Sequence, residues 1–233
     1  MFIFTTEYDK NDPKSILAYG QRLVGHALCD FIDPSTISGR DKGRLGAYVE
    51  KYYGIPRNST AMPDFASIGG VQLELKTNPL KRLASGEIRV KERLVFNIIN
   101  YCDICNESWE TSSFLAKNKN MLLVSYFHSP GEAAYEHTIY QVRLLRLDRD
   151  IPAADFEQMH RDWEYIVNLI RRGRAEDLSE GDTSILGACT KGSTAASSFR
   201  DQPFSTTRAK QRAFSWKQNY LNAHLHMLIG VDD

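Results

Sequence analysis

Met62-Pro63-Asp64-Phe65-Ala66-Ser67-Ile68-Gly69-Gly70-Val71-Gln72-Leu73-Glu74-Leu75-Lys76 is the stretch on which the reading of this chain turns. Apolar and polar residues alternate from Val71 to Lys76. That period predicts a half-buried strand with Gln72, Glu74 and Lys76 on one face and Val71, Leu73 and Leu75 on the other. Gly69-Gly70 is turn material, able to fold the segment carrying Asp64 back until its carboxylate meets that of Glu74. Two carboxylates and an ammonium then share one small volume. Hard divalent cations such as Mg²⁺ take a few carboxylate oxygens together with water and substrate phosphate, and such an ion polarises a phosphodiester and acidifies a bound water. Asp64 and Glu74 supply the carboxylates. Lys76 can orient or deprotonate the attacking water, or neutralise charge in the transition state. The competing reading is a solvated strand face with a Glu/Lys pair. E-x-K arises by chance in most proteins, so these three residues do not carry a nuclease by themselves.

Working outward, Gly43-Arg44-Leu45-Gly46 to Glu50, Pro63-Asp64-Phe65-Ala66, Gly70-Val71, Glu74-Leu75-Lys76-Thr77 and Trp109-Glu110-Thr111-Ser112 follow one another in order. So do Lys91-Glu92-Arg93-Leu94, Asn97-Ile98-Ile99-Asn100-Tyr101, Leu178-Ser179-Glu180-Gly181, Cys189-Thr190-Lys191-Gly192 and the run from Arg208 to Ser215. Together these blocks resemble the MutH family of the PD-(D/E)xK nuclease superfamily, and within it the GATC-specific type II restriction endonucleases. One departure is local: the family reads G-V-E-L-K, whereas Gln72-Leu73 intervene here. Two residues are one strand period, so the acid keeps its face.

The resemblance implies an α+β, restriction-endonuclease-like fold with a mixed central sheet flanked by helices. It implies one catalytic domain over residues 1–233, either alone or as the N-terminal part of a longer enzyme. The implied reaction is Mg²⁺-dependent hydrolysis of double-stranded DNA at GATC, leaving a 5′-phosphate. By position, Glu50, Asp64 and Glu74 become the metal-site acids, with Lys76 and Lys117 as active-site lysines. Lys42 and Gly43 fall on the family's DNA-contacting pair, and Lys191 and Ser215 where the family reads bases. Two rivals accompany this reading: a strand-specific nickase of mismatch repair, and a non-catalytic DNA-binding domain that regulates a partner. The intact acid-acid-lysine set argues against the latter.

At 233 residues, with 42% hydrophobic and 25% charged residues, the chain is long enough to bury one sizeable core. No apolar run approaches a membrane span, and Met1-Phe2-Ile3-Phe4 lacks the form of a signal peptide, so the expected location is the cytoplasm. Four cysteines do not make a disulfide framework, and Cys102-x-x-Cys105 lacks a second pair beyond a weak His224/His226, which disfavours structural zinc. A formal net charge of zero hides an asymmetry. Residues 148–182 hold ten acids against five Lys/Arg, whereas residues 189–226 hold six Lys/Arg against one acid. Residues 76–93 add six basic residues against two acidic. Basic stretches of this kind can follow a phosphate backbone, and Arg208, Lys210 and Lys217 are assigned to it.

Asp12-Pro13 starts a helix whose apolar stripe runs to Phe31 and encloses His26. A second helix is expected from Lys42 to Tyr53, ended by Gly54. Asn78-Pro79 is expected to break the central strand. A short helix at 114–119, strands at 121–127, 138–147 and 185–190, and a long amphipathic helix at 153–172 follow. Residues 191–207 read as a long functional loop. Arg212 to Lys217 alternates as a strand whose core face is left open. With one nuclease motif, the chain is expected to be a monomer off DNA, pairing on DNA or through a further C-terminal region.

Overall fold

Asp12 caps the first helix as its position requires, accepting from Lys14 N at 2.9 Å and Ser15 N at 3.3 Å. The computed structural model describes residues 7–37, 44–57, 60–192 and 198–230. In chain order the first elements are α1 (Pro13–Gln21), α2 (Leu45–Tyr52), α3 (Asp64–Ser67), β1 (Glu74–Arg82), β2 (Ile88–Val90), β3 (Leu94–Ile98) and α4 (Ser113–Asn118). There follow β4 (Asn120–Phe127), β5 (Ile139–Arg146), α5 (Ala153–Arg171), β6 (Leu186–Thr190), β7 (Phe199–Arg200), β8 (Ala209–Lys210), β9 (Arg212–Trp216), α6 (Gln218–Ala223) and α7 (Leu225–Ile229). None of the described helices is long and apolar enough to cross a membrane. The chain divides into two compact units. One comprises Met1–Glu92, Asn120–Arg146 and Asn222–Asp233, the other Arg93–Lys119 and Leu147–Leu221.

The first unit is built on a mixed sheet of order β2-β1-β4-β5, in which β1 and β4 run parallel and the outer pairs are antiparallel. Leu75, Leu122, Val124, Ile139 and Val142 face a core shared with Ile16, Leu45 and Val49 of α1 and α2. Strand alternation therefore turns Glu74, Lys76 and Asn78 to the other face. There α7 is tied to β5 by Arg143 Nη1, which donates to His226 O at 2.9 Å.

Two expectations change in this unit. The first helix ends at Gln21 rather than running to Phe31, because the backbone of the next turn is used elsewhere. Gly25 N donates to Ile139 O and Ile139 N to His26 O, both at 2.9 Å, and Ala27 bridges Thr138. His26 therefore lies outside the helix. Asn78-Pro79 does not break β1, which continues to Arg82. The Pro79 carbonyl accepts from Lys91 N at 2.8 Å, while Leu80 O accepts from His128 N at 2.9 Å. Alternation thus places the proline nitrogen toward the short edge strand β2, where one missing donor leaves the β1–β4 ladder whole.

In the second unit β9 lies between β3 and β6 in a fully antiparallel sheet, with β7 and β8 forming a separate two-stranded ribbon. Met159, Trp163, Ile166 and Ile170 of α5 are buried, as their spacing predicts. Asp162 on the same helix is buried too. It is held by Ser184 N at 3.0 Å, Ile185 N at 2.6 Å and Leu186 N at 2.9 Å, and it receives Gln158 Nε2 at 2.8 Å. A buried carboxyl group that accepts from three consecutive amides has its oxygens satisfied and fixes the start of β6 on α5.

Candidate active site

Phe65, fully buried, anchors the segment that bears Asp64. Its ring meets Tyr53 at 5.1 Å and Tyr8 at 6.3 Å, within an aromatic cluster that includes the 4.4 Å Tyr19–Tyr52 stack. After one turn of α3 the chain reverses. Gly69 takes φ 74° and Gly70 N donates to Phe65 O at 2.8 Å. A Cβ at Gly70 would lie 2.5 Å from Lys10 O, so only glycine fits the bend. Residues 71–73 are consumed by this reversal, with Leu73 N donating to Val71 O at 2.8 Å, and β1 starts at Glu74 rather than at Val71.

The reversal brings the two acids together. Asp64 N donates to Glu74 Oε2 at 3.1 Å, and Leu75 N donates to Asp64 Oδ2 at 3.0 Å, so the Glu74 side chain holds the Asp64 amide while the Asp64 side chain holds the amide that follows Glu74. Lys76 Nζ donates to Glu74 Oε1 at 2.7 Å. Glu74 is only 3% exposed, and its charge is matched by this ammonium and the Asp64 amide. The donor chemistry suits a hard cation. The carboxylates offer oxygen ligands only, and Asp64 Oδ1 accepts no hydrogen bond from the described residues.

Glu50 is half-buried on α2 and lines a cavity of ≈ 560 Å³ with Arg44, Ala47, Lys51 and Arg57. Among the described residues no group of three His, Cys, Asp or Glu residues is set to hold a metal. Helix α2 packs toward β1 through Gly46, where a Cβ would meet Thr77 Oγ1 at 3.6 Å. Lys42 and Gly43 lie outside the described residues.

The remaining expected residues belong to the second unit. Lys117 is half-buried in the last turn of α4, whose cap Ser112 accepts from Leu115 N at 3.2 Å. Lys191 follows β6, with its amide donating to Gln211 O at 2.8 Å. Lys210 is exposed, and its carbonyl is held by the Tyr101 hydroxyl. Arg208 donates to Asp201 at 2.9 Å and to Phe199 O at 3.0 Å while its side chain stays 55% exposed. Lys217 turns inward and donates to Thr183 O. Ser215 is 1% exposed on the central strand β9, its hydroxyl buried without a hydrogen-bond partner, so in this arrangement it offers no base contact to a duplex. The question of which face of Arg212 to Lys217 meets the core has a simple answer: Ala213 to Trp216 are all buried, as befits a strand covered on both faces.

Sequence reasoning overlooked the face beyond Lys76. Asn78 and, in register on β4, Ser125 are fully buried, with both amide atoms of Asn78 and the Ser125 hydroxyl unpaired. The i, i+2 spacing from Lys76 was the available signal.

The family model described as DNA mismatch repair enzyme MutH matches residues 53–162, which include Asp64, Glu74 and Lys76. The type II restriction enzyme Sau3AI of Staphylococcus aureus is 41% identical over 213 residues, covering 91% of this chain and 42% of that enzyme. The chain thus spans less than half the length of that relative. DNA mismatch repair protein MutH of Escherichia coli (strain SMS-3-5 / SECEC) is 27% identical over 230 residues, 93% of each chain. The Shigella boydii serotype 18 protein of the same name matches equally.

Proposed function

We propose that the chain belongs to the MutH family, whose model matches residues 53–162, and that it is the catalytic part of a type II restriction endonuclease that cuts double-stranded DNA at GATC. The observation that carries this is the mutual brace of Asp64 and Glu74 with Lys76 bonded to Glu74. Two oxygen donors and an ammonium, fixed by backbone rather than by long side chains, are what phosphodiester hydrolysis requires of a protein.

Asp64 and Glu74 would hold Mg²⁺, with Glu50 of α2 supporting the metal site. When bound, the ion supplies Lewis-acid polarisation of the phosphate and acidification of water. The protein's own residues do the rest. Lys76 donates to a carboxylate, which favours a role as donor: it orients the attacking water and offsets the growing charge on phosphate oxygens. The water oxygen bonds to phosphorus, the bond to the 3′ oxygen breaks, and a 5′-phosphate remains. Lys117 is assigned to the phosphate beside the cut. Lys191 is assigned to base reading, and Arg208, Lys210, Lys42 and Gly43 to the backbone.

A second reading has its own support. The match to MutH covers 93% of both chains, which favours a strand-specific nickase. Both readings use the same residues. Incubation with unmethylated, hemimethylated and fully methylated GATC duplexes in Mg²⁺, with the two strands resolved, separates them. Cutting of both strands of unmethylated DNA supports restriction, and a single-strand nick supports the nickase.

A further inference from the structure

Phe204 combines two features that rarely meet. The residue is 78% exposed, and its backbone sits at φ 62°, a left-handed conformation adopted by no other non-glycine residue among those described. For a bulky L-residue this is a strained geometry. Because the ring is not buried, its packing inside the fold does not repay that strain. Strain of this kind persists where surrounding structure enforces it, and it concentrates at functional positions.

The enforcement is visible. Gln202, 6% exposed, accepts from Ala175 N at 2.7 Å and donates to Glu176 at 2.5 Å and to Thr207 O at 2.7 Å. Arg208 clamps Asp201 and Phe199 O across the loop. On the other side Gly173, at φ 67°, leaves room for the Phe204 carbonyl, which a Cβ there would approach to 2.6 Å. The loop is therefore braced at both shoulders and presents one ring outward. It joins the ribbon strands β7 and β8, which spring from the end of β6 and β9 where Lys191 lies: Lys191 N donates to Gln211 O, and Gln211 N to Ser198 O. Arg200, Arg208 and Lys210 are exposed along this ribbon, and Arg172 and Arg174 flank Gly173. Against them stand Asp201, paired with Arg208, Asp177, paired with Arg174 at 2.6 Å, and Glu176, bonded to Gln202.

A rigid aromatic ring among cations suits a partner with a polyanionic backbone and flat apolar faces. We infer that Phe204 is a wedge that contacts the bases of bound duplex DNA, entering from a groove and unstacking one base step. This rests on the proposed function above. The braced loop backbone lowers the entropy cost of insertion, and the cations hold the phosphates on either side.

The test compares the wild-type chain with Phe204→Gly and Phe204→Trp on GATC duplexes carrying 2-aminopurine at successive positions, with Ca²⁺ replacing Mg²⁺. The wild type should raise the fluorescence of one position several-fold, and Phe204→Trp should retain the rise. Phe204→Gly should lose it and bind about tenfold more weakly. Glycine relieves the strained φ, so its melting temperature should equal or exceed that of the wild type, which rules out unfolding as the cause. Wild-type affinity and an unchanged fluorescence pattern in Phe204→Gly would overturn the wedge. So would loss of self-association in that variant with DNA binding intact, which would assign the ring to a protein contact. A wild-type chain that does not bind duplex at all overturns the proposed function itself, whereas tight binding with no 2-aminopurine response at any position sinks the wedge alone.

Discussion

Lys76 and Glu74 are 12% and 4% exposed at their side chains and form an ion pair. Replacing Lys76 by methionine leaves a buried carboxylate without its ammonium. Loss of about 3 kcal/mol in urea unfolding is the expected result, together with loss of cleavage. Added Mg²⁺ should raise the melting temperature of Lys76→Met more than that of the wild type, since a cation at the carboxylates replaces the missing charge. No such differential would argue against a metal at this pair. His137 gives a second test at this scale. It is buried against Tyr126 at 5.5 Å, and desolvation lowers its pKa below the ordinary 6.5, with Glu132 at 3.5 Å opposing. The unfolded chain therefore binds this proton at higher pH than the folded one. Stability should be intact above the unfolded value and fall as pH drops below it. Melting curves from about pH 7.5 to about pH 5.5 should show this slope, flattened in His137→Gln. The pairing of Glu74 with Lys76 was readable from alternation. The burial of Ser215 was not, because both faces of β9 are covered and the strand's own sequence does not reveal its neighbours.

At the scale of elements, the fold hangs on pieces whose ends are set by tertiary hydrogen bonds. Helix α5 was legible from its period of apolar residues, but the inward turn of Asp162 was not. An acid at one position of a helix reads as solvated until the amides of Ser184, Ile185 and Leu186 are known to converge on it. Asp162→Ala leaves three amides without their acceptor, each costing ~1–3 kcal/mol if unreplaced. A loss of about 3 kcal/mol or more should appear in urea unfolding, and a change under about 0.5 kcal/mol, the ordinary range for surface substitutions, would show that Asp162 does not hold β6. The early end of α1 and the passage of β1 through Pro79 escaped sequence reading for a shared reason. Local propensity places a helix through Val24 and a break at Asn78-Pro79, but pairing with β5 claims the first backbone and an edge position excuses the second. The reversal at Gly69-Gly70 was legible because the glycines are local causes.

Across the whole chain, a formal net charge of zero conceals the basic stretch that follows β6, so binding should depend on salt far more than the net charge suggests. If Lys210 meets phosphate and Lys191 a base, as proposed, substituting Lys210 should weaken binding to all sequences alike and reduce the salt slope by about one, while Lys191→Ala should erode preference for GATC over a one-base variant. GATC is symmetric, and one acid-acid-lysine set aligns with one scissile phosphate at a time. The chain by itself should therefore sediment as a monomer and convert supercoiled plasmid with a single GATC site to open circle before linear product. A stable dimer giving linear product directly would contradict this. The most direct test of the active-site assignment is single-turnover cleavage of an end-labelled GATC duplex by the wild-type and Glu74→Gln proteins, with affinity measured in parallel. Addition of Mg²⁺ should start cutting and chelation should stop it, and Glu74→Gln should bind as tightly yet cut ~10²–10³-fold more slowly or worse. Cutting by Glu74→Gln at the wild-type rate, or undiminished wild-type cutting in chelator, would contradict the account.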